Sequence, residues 1–518
     1  MLATLGQAPF QFVPAYAAAI VVLVWLLDVA SRQQRRILSG LNTGFLFGLG
    51  HFGTGMYWVA SAFLVDPKTW GLAPGVLAAL GLASGMAAFW ALGCALAIML
   101  WTRDVRRIAA LALALGVTEW LRGNIFTGLP WLLPGYIWTP GEPISQLASI
   151  VGIYGLSAIT LLICAAPAAI ADSGSDAGRR FAPSLAGALM LGLIWGWGTQ
   201  HLTSAPHDPP GAQPVIRVTD SGLSQAEKWQ FRPDQEWRVL ARYLDASGTP
   251  DTNRAAVVIW PEGAIPTVNF FTLENPDFLN AIGRGMGDRV LITGLTRREL
   301  RNGRIAYFNS AAVIDGVSGQ PRLSQIYDKN HLVPFGEYMP FHEVVDMLHI
   351  ASLQAMGEPF TPGAPPTRLV VPDAPPAVVL ICYESIFPGM SPRDADRPGW
   401  IVNISNDAWF GDVGKTISLG PMRLEVSSTG PWQAYEMARY RAIEEGLPMA
   451  RAASGGVSAI VDAFGREVRA THRRGGFAEA QLPPAVEETT FAKWGELLLA
   501  LLLAVLMALR FGAPAARP

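Results

Sequence analysis

Residues 378–385 read VVLICYES, an apolar run that ends in a cysteine followed by a tyrosine and a glutamate. A short continuous apolar run bounded by polar residues is typical of a buried strand in a layered α/β protein. In open α/β sheets the reactive groups gather where the strands end. The stretch therefore predicts a buried strand that presents the thiol of Cys382 at its carboxyl end.

Two other stretches have the same form. Residues 257–264, VVIWPEGA, are an apolar run followed by Glu262, and residues 324–338, SQIYDKNHLVPFGEY, carry Lys329 directly after a strand-like run. A charged residue after a strand is usually a solvated loop residue, and a lone cysteine is usually a small buried hydrophobe. Taken together, however, the three strand ends supply a carboxylate, an ammonium and a thiol.

This combination suits acyl transfer. A thiol with an ordinary pKa of about 8.5 is only slightly ionised at neutral pH and needs a neighbouring base. Glu262 could accept the proton of Cys382, and Lys329 could stabilise the oxyanion that forms when the sulfur attacks a carbonyl. The other cysteines, Cys94 and Cys164, lie in apolar helical runs, so the soluble part has one thiol and cannot close an internal disulfide.

Strand-like and helix-like runs alternate around these three stretches, which predicts a layered α/β domain with a mixed sheet. The predicted strands are 214–219, 255–260, 289–295, 307–315, 322–328, 377–382, 400–404, 448–453 and 457–461. The predicted helices are 233–246, 275–286 and 432–445.

The rest of the chain is apolar. Of the 518 residues, 51% are hydrophobic and 15% are charged, against roughly 25% charged in a typical soluble domain. A spanning helix needs about 20 mostly apolar residues. The candidate spans are 13–30, 41–64, 73–101, 107–121, 144–171, 182–199 and 493–510, with a possible stub at 1–10. A formal net charge of −2 gives no electrostatic reason to expect a nucleic-acid partner.

The distribution of arginines predicts the topology. Basic residues concentrate in every second loop, and by the positive-inside rule those loops are cytoplasmic. The arginines concerned are Arg32, Arg35, Arg36, Arg103, Arg106, Arg107, Arg179, Arg180, Arg510 and Arg517. The large insert after the sixth span then lies on the opposite side, which in a bacterium is the periplasm.

Two further features allow two interpretations each, and a third allows one. Glu119 and Arg122 are either an interfacial pair at a helix end or a polar wall for a lipid headgroup or for docking the insert. Residues 341–360 have the spacing of an amphipathic lid that dips into the membrane interface, or of a helix that covers the sheet. Phe387 and Met390, just after the cysteine, could form a second apolar arm.

The order of three motifs, WPE at 260–262, Lys329 with PFGE at 334–337, and CYE at 382–384, resembles the nitrilase or carbon–nitrogen hydrolase superfamily. Because membrane spans flank this domain, the chain resembles, within that superfamily, the bacterial apolipoprotein N-acyltransferases, which complete lipoprotein maturation. Further matching stretches are 48–53, 119–131, 135–136, 154–157 and NISNDAWFG at 403–411.

The resemblance implies a multi-span helical bundle at 1–200, an αββα nitrilase-like domain at 201–491 on the periplasmic side of the inner membrane, and a final span with a short cytoplasmic tail at 492–518. It implies that Cys382 carries the acyl group as a thioester, with a membrane phospholipid as donor and a diacylglyceryl-modified lipoprotein as acceptor. No metal or organic cofactor is expected.

The resemblance also implies roles for residues around the triad. Glu262 would be the proton acceptor, Lys329 the oxyanion-stabilising residue and Cys382 the nucleophile. The supporting residues would be Glu337 beside the lysine and Tyr383 and Glu384 at the nucleophile's turn. The residues lining the way in for acyl chains would be Trp229 and Trp409.

Two rival functions remain. A membrane-tethered amidase would use the same triad to hydrolyse a small amide, although such a substrate needs neither an apolar lid nor flanking spans. A non-catalytic membrane scaffold would retain the fold without the chemistry. Residues 413–429 are an insertion relative to the family pattern, so they leave substrate preference open more than catalysis.

Overall fold

The computed structural model describes residues 1–65, 71–173, 176–204, 213–228, 234–249, 255–264, 276–301, 303–316, 321–340, 358–411, 415–419, 422–472 and 474–511. The helices are α1 Val13–Ala30, α2 Arg36–Gly55, α3 Val59–Ala62, α4 Leu72–Met99, α5 Arg106–Asn124, α6 Ala148–Ala165, α7 Ala177–Thr203, α8 Gln225–Lys228, α9 Gln235–Ser247, α10 Pro276–Met286, α11 Thr429–Glu445, α12 Thr490–Trp494 and α13 Leu497–Phe511. The strands are β1 Val215–Thr219, β2 Val257–Ile259, β3 Val290–Arg301, β4 Arg304–Asp315, β5 Arg322–Asp328, β6 Ala377–Ile381, β7 Trp400–Asn406, β8 Lys415–Leu419, β9 Met422–Val426, β10 Met449–Ser454, β11 Ser458–Val461, β12 Glu467–Thr471 and β13 Phe477–Gln481.

Helices α1 to α7 and α13 form the apolar bundle that the composition predicts. In the described part of the chain, four segments are long and apolar enough to cross a membrane: Val13–Ala30, Leu72–Met99, Pro143–Ala171 and Ala177–Thr203. Helices α2 and α4 pack closely, since a Cβ added at Gly44 would lie 2.4 Å from the carbonyl oxygen of Trp90. Small residues allow this approach where helices have no hydrophobic force between them in lipid.

The predicted span 41–64 is wrong at both ends. Helix α2 begins at Arg36 and stops at Gly55, and the chain then turns into the short helix α3. The turn is fixed by Trp58, which is buried against Phe410 (ring centroids 4.7 Å apart) and donates a hydrogen bond to the Gln433 side chain at 3.0 Å. A contact with the soluble domain therefore ends the helix, and a hydropathy pattern does not contain that contact.

The soluble domain is a sandwich of two sheets. One sheet has the order β13-β1-β2-β3-β4-β5 and the other β12-β11-β10-β7-β6. Their facing sides share one core, α9 and α10 pack on the outer side of the first sheet, and α11 packs on the outer side of the second. The predicted αββα arrangement of a nitrilase-like domain is confirmed.

The predicted strands are found within a few residues of their expected bounds, but four strands were missed. Strands β12 and β13 are short and carry polar side chains at alternate positions, so they lack the apolar run used as the signal. Strands β8 and β9 pair as an antiparallel hairpin within the 413–429 insertion. The predicted lid at 341–360 falls almost entirely outside the described residues.

Helix α11 joins the soluble domain to the bundle. The side-chain oxygen of the buried Gln433 accepts hydrogen bonds from Trp58 Nε1 at 3.0 Å and Trp131 Nε1 at 2.8 Å, and its nitrogen donates to the carbonyl of Gly55 at 3.2 Å. At the other end of α11, the Glu444 carboxylate accepts a hydrogen bond from the backbone N–H of Ile153 at 2.8 Å. The second sheet, which carries Cys382, is thus held against the membrane helices.

Candidate active site

Cys382 follows β6 directly and begins a short 3-10 turn, Cys382–Ile386. Its φ is 48°, in the left-handed region that residues with a side chain rarely adopt. Such strain persists where the surroundings over-determine the backbone, and it is common at functional sites. The turn directs the thiol toward the first sheet, where the other two predicted residues lie.

Lys329 follows β5 and is 1% exposed. Its Nζ lies 2.9 Å from Glu337 Oε1 and 3.6 Å from Glu262 Oε1. Burial by itself lowers the pKa of Lys329, but the Glu337 and Glu262 carboxylates more than reverse this, and the pKa is raised above its ordinary value. The side chain is therefore an ammonium at any physiological pH.

Asn309 is a residue that sequence reasoning missed. Its Nδ2 donates to Glu262 Oε1 at 2.7 Å and to Glu337 Oε1 at 2.6 Å, so one amide holds both carboxylates beside the lysine. Its carbonyl also accepts the backbone N–H of Lys329 at 2.8 Å. The sequence did contain a signal for this residue: Asn309 is an amide inside the largely apolar run of β4, and a buried polar side chain needs hydrogen-bond partners.

Glu262 is fixed at both carboxylate oxygens. Oε1 accepts a hydrogen bond from the Asn309 side-chain amide, and Oε2 accepts one from the backbone N–H of Asn406 at 2.9 Å. The Asn406 side chain is in turn bound to Gln225 Oε1 at 2.9 Å. The predicted proton acceptor is thus oriented by donors from both sheets.

Glu384 connects the nucleophile's turn with the segment that bears Lys329. Its fully buried carboxylate accepts hydrogen bonds from Ile381 N at 2.7 Å, Tyr327 Oη at 2.6 Å, Asn330 N at 2.8 Å and His331 N at 3.1 Å. Burial raises the pKa of Glu384, and these hydrogen bonds oppose the rise. Glu384 thereby fixes the position of the Cys382 turn relative to the segment that follows Lys329.

The thiol itself is neutral at rest. Burial first, and then the Glu262 carboxylate, raise the pKa of Cys382 to about 12, although Lys329 and a hydrogen bond with Ser405 act in the opposite direction. Because a thiol with this pKa has almost no thiolate near neutral pH, its proton must leave as the sulfur attacks.

A loop of the membrane part reaches this turn. The Tyr383 hydroxyl donates to the carbonyl of Gly128 at 2.5 Å, and His331 Nε2 bonds the carbonyl of Thr127 at 2.8 Å. Arg122 pairs with Glu119 inside α5 and donates to the carbonyl of Leu129. Of the two interpretations of the Glu119–Arg122 pair, docking fits, because the pair is buried and fixes the loop that touches the soluble domain.

Phe387, one of the three predicted substrate-contacting residues, lies directly after the nucleophile's turn. Phe387 is 7% exposed and packs on His331 and Tyr383, with ring centroids 4.1 Å and 4.9 Å apart. Trp409 is half-buried in the 3-10 turn Asp407–Phe410, next to Phe410, which packs on Trp58 and Trp131. Trp229 lies outside the described residues.

Comparison with known proteins gives matches over both parts of the chain. The family model described as apolipoprotein N-acyltransferase N-terminal domain matches residues 1–166, and the carbon-nitrogen hydrolase model matches residues 222–490. A protein of Rhodopseudomonas palustris named apolipoprotein N-acyltransferase is 36% identical over 98% of this chain and 92% of its own length. One of the same name from Bradyrhizobium diazoefficiens is 39% identical over 98% of this chain and 93% of its own length. The crystal structure of an amidase from Nesterenkonia is 17% identical, with a TM-score of 0.33 over 54% of this chain and 94% of that chain.

Proposed function

The chain belongs to the apolipoprotein N-acyltransferase family, and we propose that it moves an acyl chain from a membrane phospholipid to the N-terminal amine of a diacylglyceryl-modified cysteine in a lipoprotein. One observation carries the assignment of the chemistry to particular residues. A buried ammonium, Lys329, lies between Glu262 and Glu337, and both it and Glu262 act electrostatically on the Cys382 thiol.

In the first half-reaction, Glu262 accepts the thiol proton while the sulfur of Cys382 attacks the ester carbonyl of the phospholipid. A C–S bond forms, the carbonyl oxygen becomes an oxyanion, and the ammonium of Lys329 stabilises it. The ester C–O bond then breaks. The leaving alkoxide takes the proton back from Glu262 and departs as a lysophospholipid, which leaves a thioester on Cys382.

In the second half-reaction, the amine of the acceptor attacks the thioester carbonyl. Glu262 accepts a proton from the attacking nitrogen, and Lys329 again faces the oxyanion. The C–S bond breaks as the amide forms, and the proton on Glu262 returns to the sulfur. Overall one ester and one amine become one amide and one alcohol, with the protein unchanged.

The electrostatics of the site support this sequence of steps. Since the resting thiol is neutral, the base must lie close to it and stay oriented, and Glu262 is held at both oxygens by Asn309 and Asn406. Because neighbouring carboxylates raise the pKa of Lys329, the cation that faces the oxyanion keeps its charge. Glu337 holds the lysine, and Tyr383 and Glu384 hold the turn.

The contact with the membrane helices supports a lipid as donor. Loop 125–129 of the bundle is bound by Tyr383 beside the nucleophile, and the side chain of Phe126 in that loop is 79% exposed. Phe335, two residues before Glu337 in sequence, is 59% exposed. An acyl chain could therefore meet apolar side chains on its way to the thiol.

We further propose that the catalytic domain, residues 201–491, faces the periplasm, between an inner-membrane bundle at 1–200 and a last span at 492–518. The arginine-rich loops support this orientation by the positive-inside rule. Phe387, directly after the nucleophile's turn, is proposed to contact the substrate chains together with Trp409 and Trp229. The lipoprotein acceptor would approach from the periplasmic side.

A trapping experiment tests the function. Membranes containing the protein are incubated with a phospholipid labelled in its acyl chain, and the protein is examined for a hydroxylamine-sensitive adduct. We expect the adduct in the wild type and in the matched Cys94→Ala and Cys164→Ala variants, but not in Cys382→Ala. Label that persists in Cys382→Ala would exclude this residue as the acyl carrier.

The same preparation distinguishes the rival chemistry. Addition of a diacylglyceryl-modified peptide should consume the adduct and yield the N-acylated peptide. If the label appeared only as free fatty acid, water would be the acceptor and the proposal of a transferase would fail.

A further inference from the structure

Behind the thiol lies a buried polar cluster that the two half-reactions described above do not use. It consists of Asn403, Ser405, Asp407 and Arg451, each at most 2% exposed. Parallel pairing of β6 with β7 aligns Ile381 with Ile404, so the next residues, Cys382 and Ser405, are neighbours across the two strands. Against the larger effect of burial, the nearby Ser405 hydroxyl acts to lower the pKa of Cys382.

The hydroxyl of Ser405 is itself held from behind. It donates to Asp407 Oδ1 at 2.6 Å, so in the resting site the serine hydrogen is directed at the aspartate and not at the sulfur. Arg451 Nη2 donates to both Asp407 oxygens, at 2.9 Å and 2.7 Å, and Arg451 also bonds the side-chain oxygen of Asn403. Asn403 is anchored to the carbonyl of Leu380, in the strand that leads to the cysteine, at 2.8 Å.

We propose that Ser405 is a further catalytic residue, whose hydroxyl turns from Asp407 to the sulfur when Cys382 becomes a thiolate. The inference rests on the proposed role of Cys382 as the acyl carrier. Asp407 and Arg451 are positioning residues: the arginine keeps the aspartate satisfied while the serine hydroxyl is turned away. No bond between heavy atoms changes in this step, and the thiol proton still goes to Glu262.

The arrangement suits both half-reactions. The sulfur carries negative charge as it attacks and again as it leaves the thioester, and a hydrogen bond to a charged group is stronger than one to a neutral group. The charged groups that face the sulfur are Glu262, Lys329 and Asp407. Of these, Lys329 must also stabilise the oxyanion. The Ser405 hydroxyl is a neutral donor that can stabilise the thiolate while the lysine is engaged with the oxyanion.

The test measures the thiol directly, without any acyl donor. In the full-length protein with Cys94→Ala and Cys164→Ala, the rate of alkylation of Cys382 by iodoacetamide is followed as a function of pH. Replacing Ser405 by Ala should shift the alkylation profile to higher pH and slow the reaction near neutral pH by about tenfold to a hundredfold, the usual range for a hydrogen bond to a charged group. Ser458→Ala is the matched control, because it removes another buried hydroxyl of the same sheet, one bound only to the backbone of Ala453.

A second pair of variants keeps the test decisive if the alanine variant does not fold. Ser405→Thr and Ser405→Val have nearly the same shape and differ in the hydroxyl, so packing effects are shared. We expect the threonine variant to alkylate at least about tenfold faster than the valine variant near neutral pH. Equal rates would overturn the role of the hydroxyl, even if the wild type forms the phospholipid adduct normally. Conversely, a Thr–Val difference in a protein that forms no phospholipid adduct would support the hydrogen bond from residue 405 to the thiolate and reject the proposed function.

Discussion

Replacing Glu337 by Gln should change how the enzyme responds to alkaline pH. The carboxylate lies 2.9 Å from the Lys329 ammonium, and the two side chains are 10% and 1% exposed. Removing one partner of a buried ion pair costs about 3–5 kcal/mol, because the remaining charge is left without compensation. Part of this cost falls on the proton of Lys329, which burial already opposes.

Because one factor of ten corresponds to about 1.4 kcal/mol, proton binding at Lys329 would weaken by about a hundred to a few thousand fold if the whole cost fell there. Glu262, at 3.6 Å, retains some of the support, so the lower end of this range is expected. The pKa of Lys329 is raised in the wild type, so its charge persists through the alkaline range. In the variant the pKa falls, and the charge is lost as pH rises through the new value.

The assay is single-turnover formation of the Cys382 thioester from a labelled phospholipid, measured from mildly acidic to alkaline pH. The wild-type rate should rise with pH as the thiol becomes easier to ionise, whereas the Glu337→Gln rate should reach a maximum and then decline. Glu299→Gln is the matched control, since it removes a carboxylate that pairs with Arg297 and Arg301 at the surface. If the profile of Glu337→Gln followed that of the wild type at alkaline pH, the proposed control of Lys329 by Glu337 would be refuted.

Four other predictions follow from the site. Cys382→Ser should nearly abolish lipoprotein acylation, because an alkoxide is much harder to generate than a thiolate; near-normal acylation in membranes would contradict the mechanism. Glu262→Gln should leave the protein folded and slow single-turnover thioester formation by at least about a hundredfold, the usual contribution of a general base. An unchanged rate would count against Glu262 as the base. Asn309→Leu removes the hydrogen bonds from the Asn309 amide to the Glu262 and Glu337 carboxylates, so thioester formation should slow by about tenfold to a hundredfold. A wild-type rate in quench experiments would show that the amide is dispensable. Tyr383→Phe removes the hydrogen bond to the Gly128 carbonyl, so amide hydrogen exchange in residues 125–129 should become faster than in the wild type. Equal exchange rates would mean that this bond does not hold the loop.

The number and approximate positions of the apolar helices could be predicted from the sequence, but the residues at which they begin and end could not. The spans at 13–30, 73–101 and 182–199 correspond to α1, α4 and α7, because a long apolar run has few alternatives to a spanning helix. The span at 144–171 is in fact divided, since Gly152 adopts a φ of 66° inside it and short 3-10 turns flank the helix. Such breaks depend on what packs against the glycine, here the ring of Phe491 from the far end of the chain.

The family resemblance implied the αββα arrangement, while the residue patterns predicted a layered α/β domain, its principal strands and the three reactive strand ends. Each of these is a local pattern, in which an apolar run forces a strand into the core and a polar residue follows where the strand stops. Which side chains hold Glu262, Lys329 and the Cys382 turn in place is visible only in the tertiary structure. Asn309 and Glu262 are separated by 47 positions, Tyr383 and Gly128 by 255, and Gln433 and Trp58 by 375. No periodicity links such positions, because a hydrogen bond between distant segments exists only once the sheets and the membrane helices have packed together.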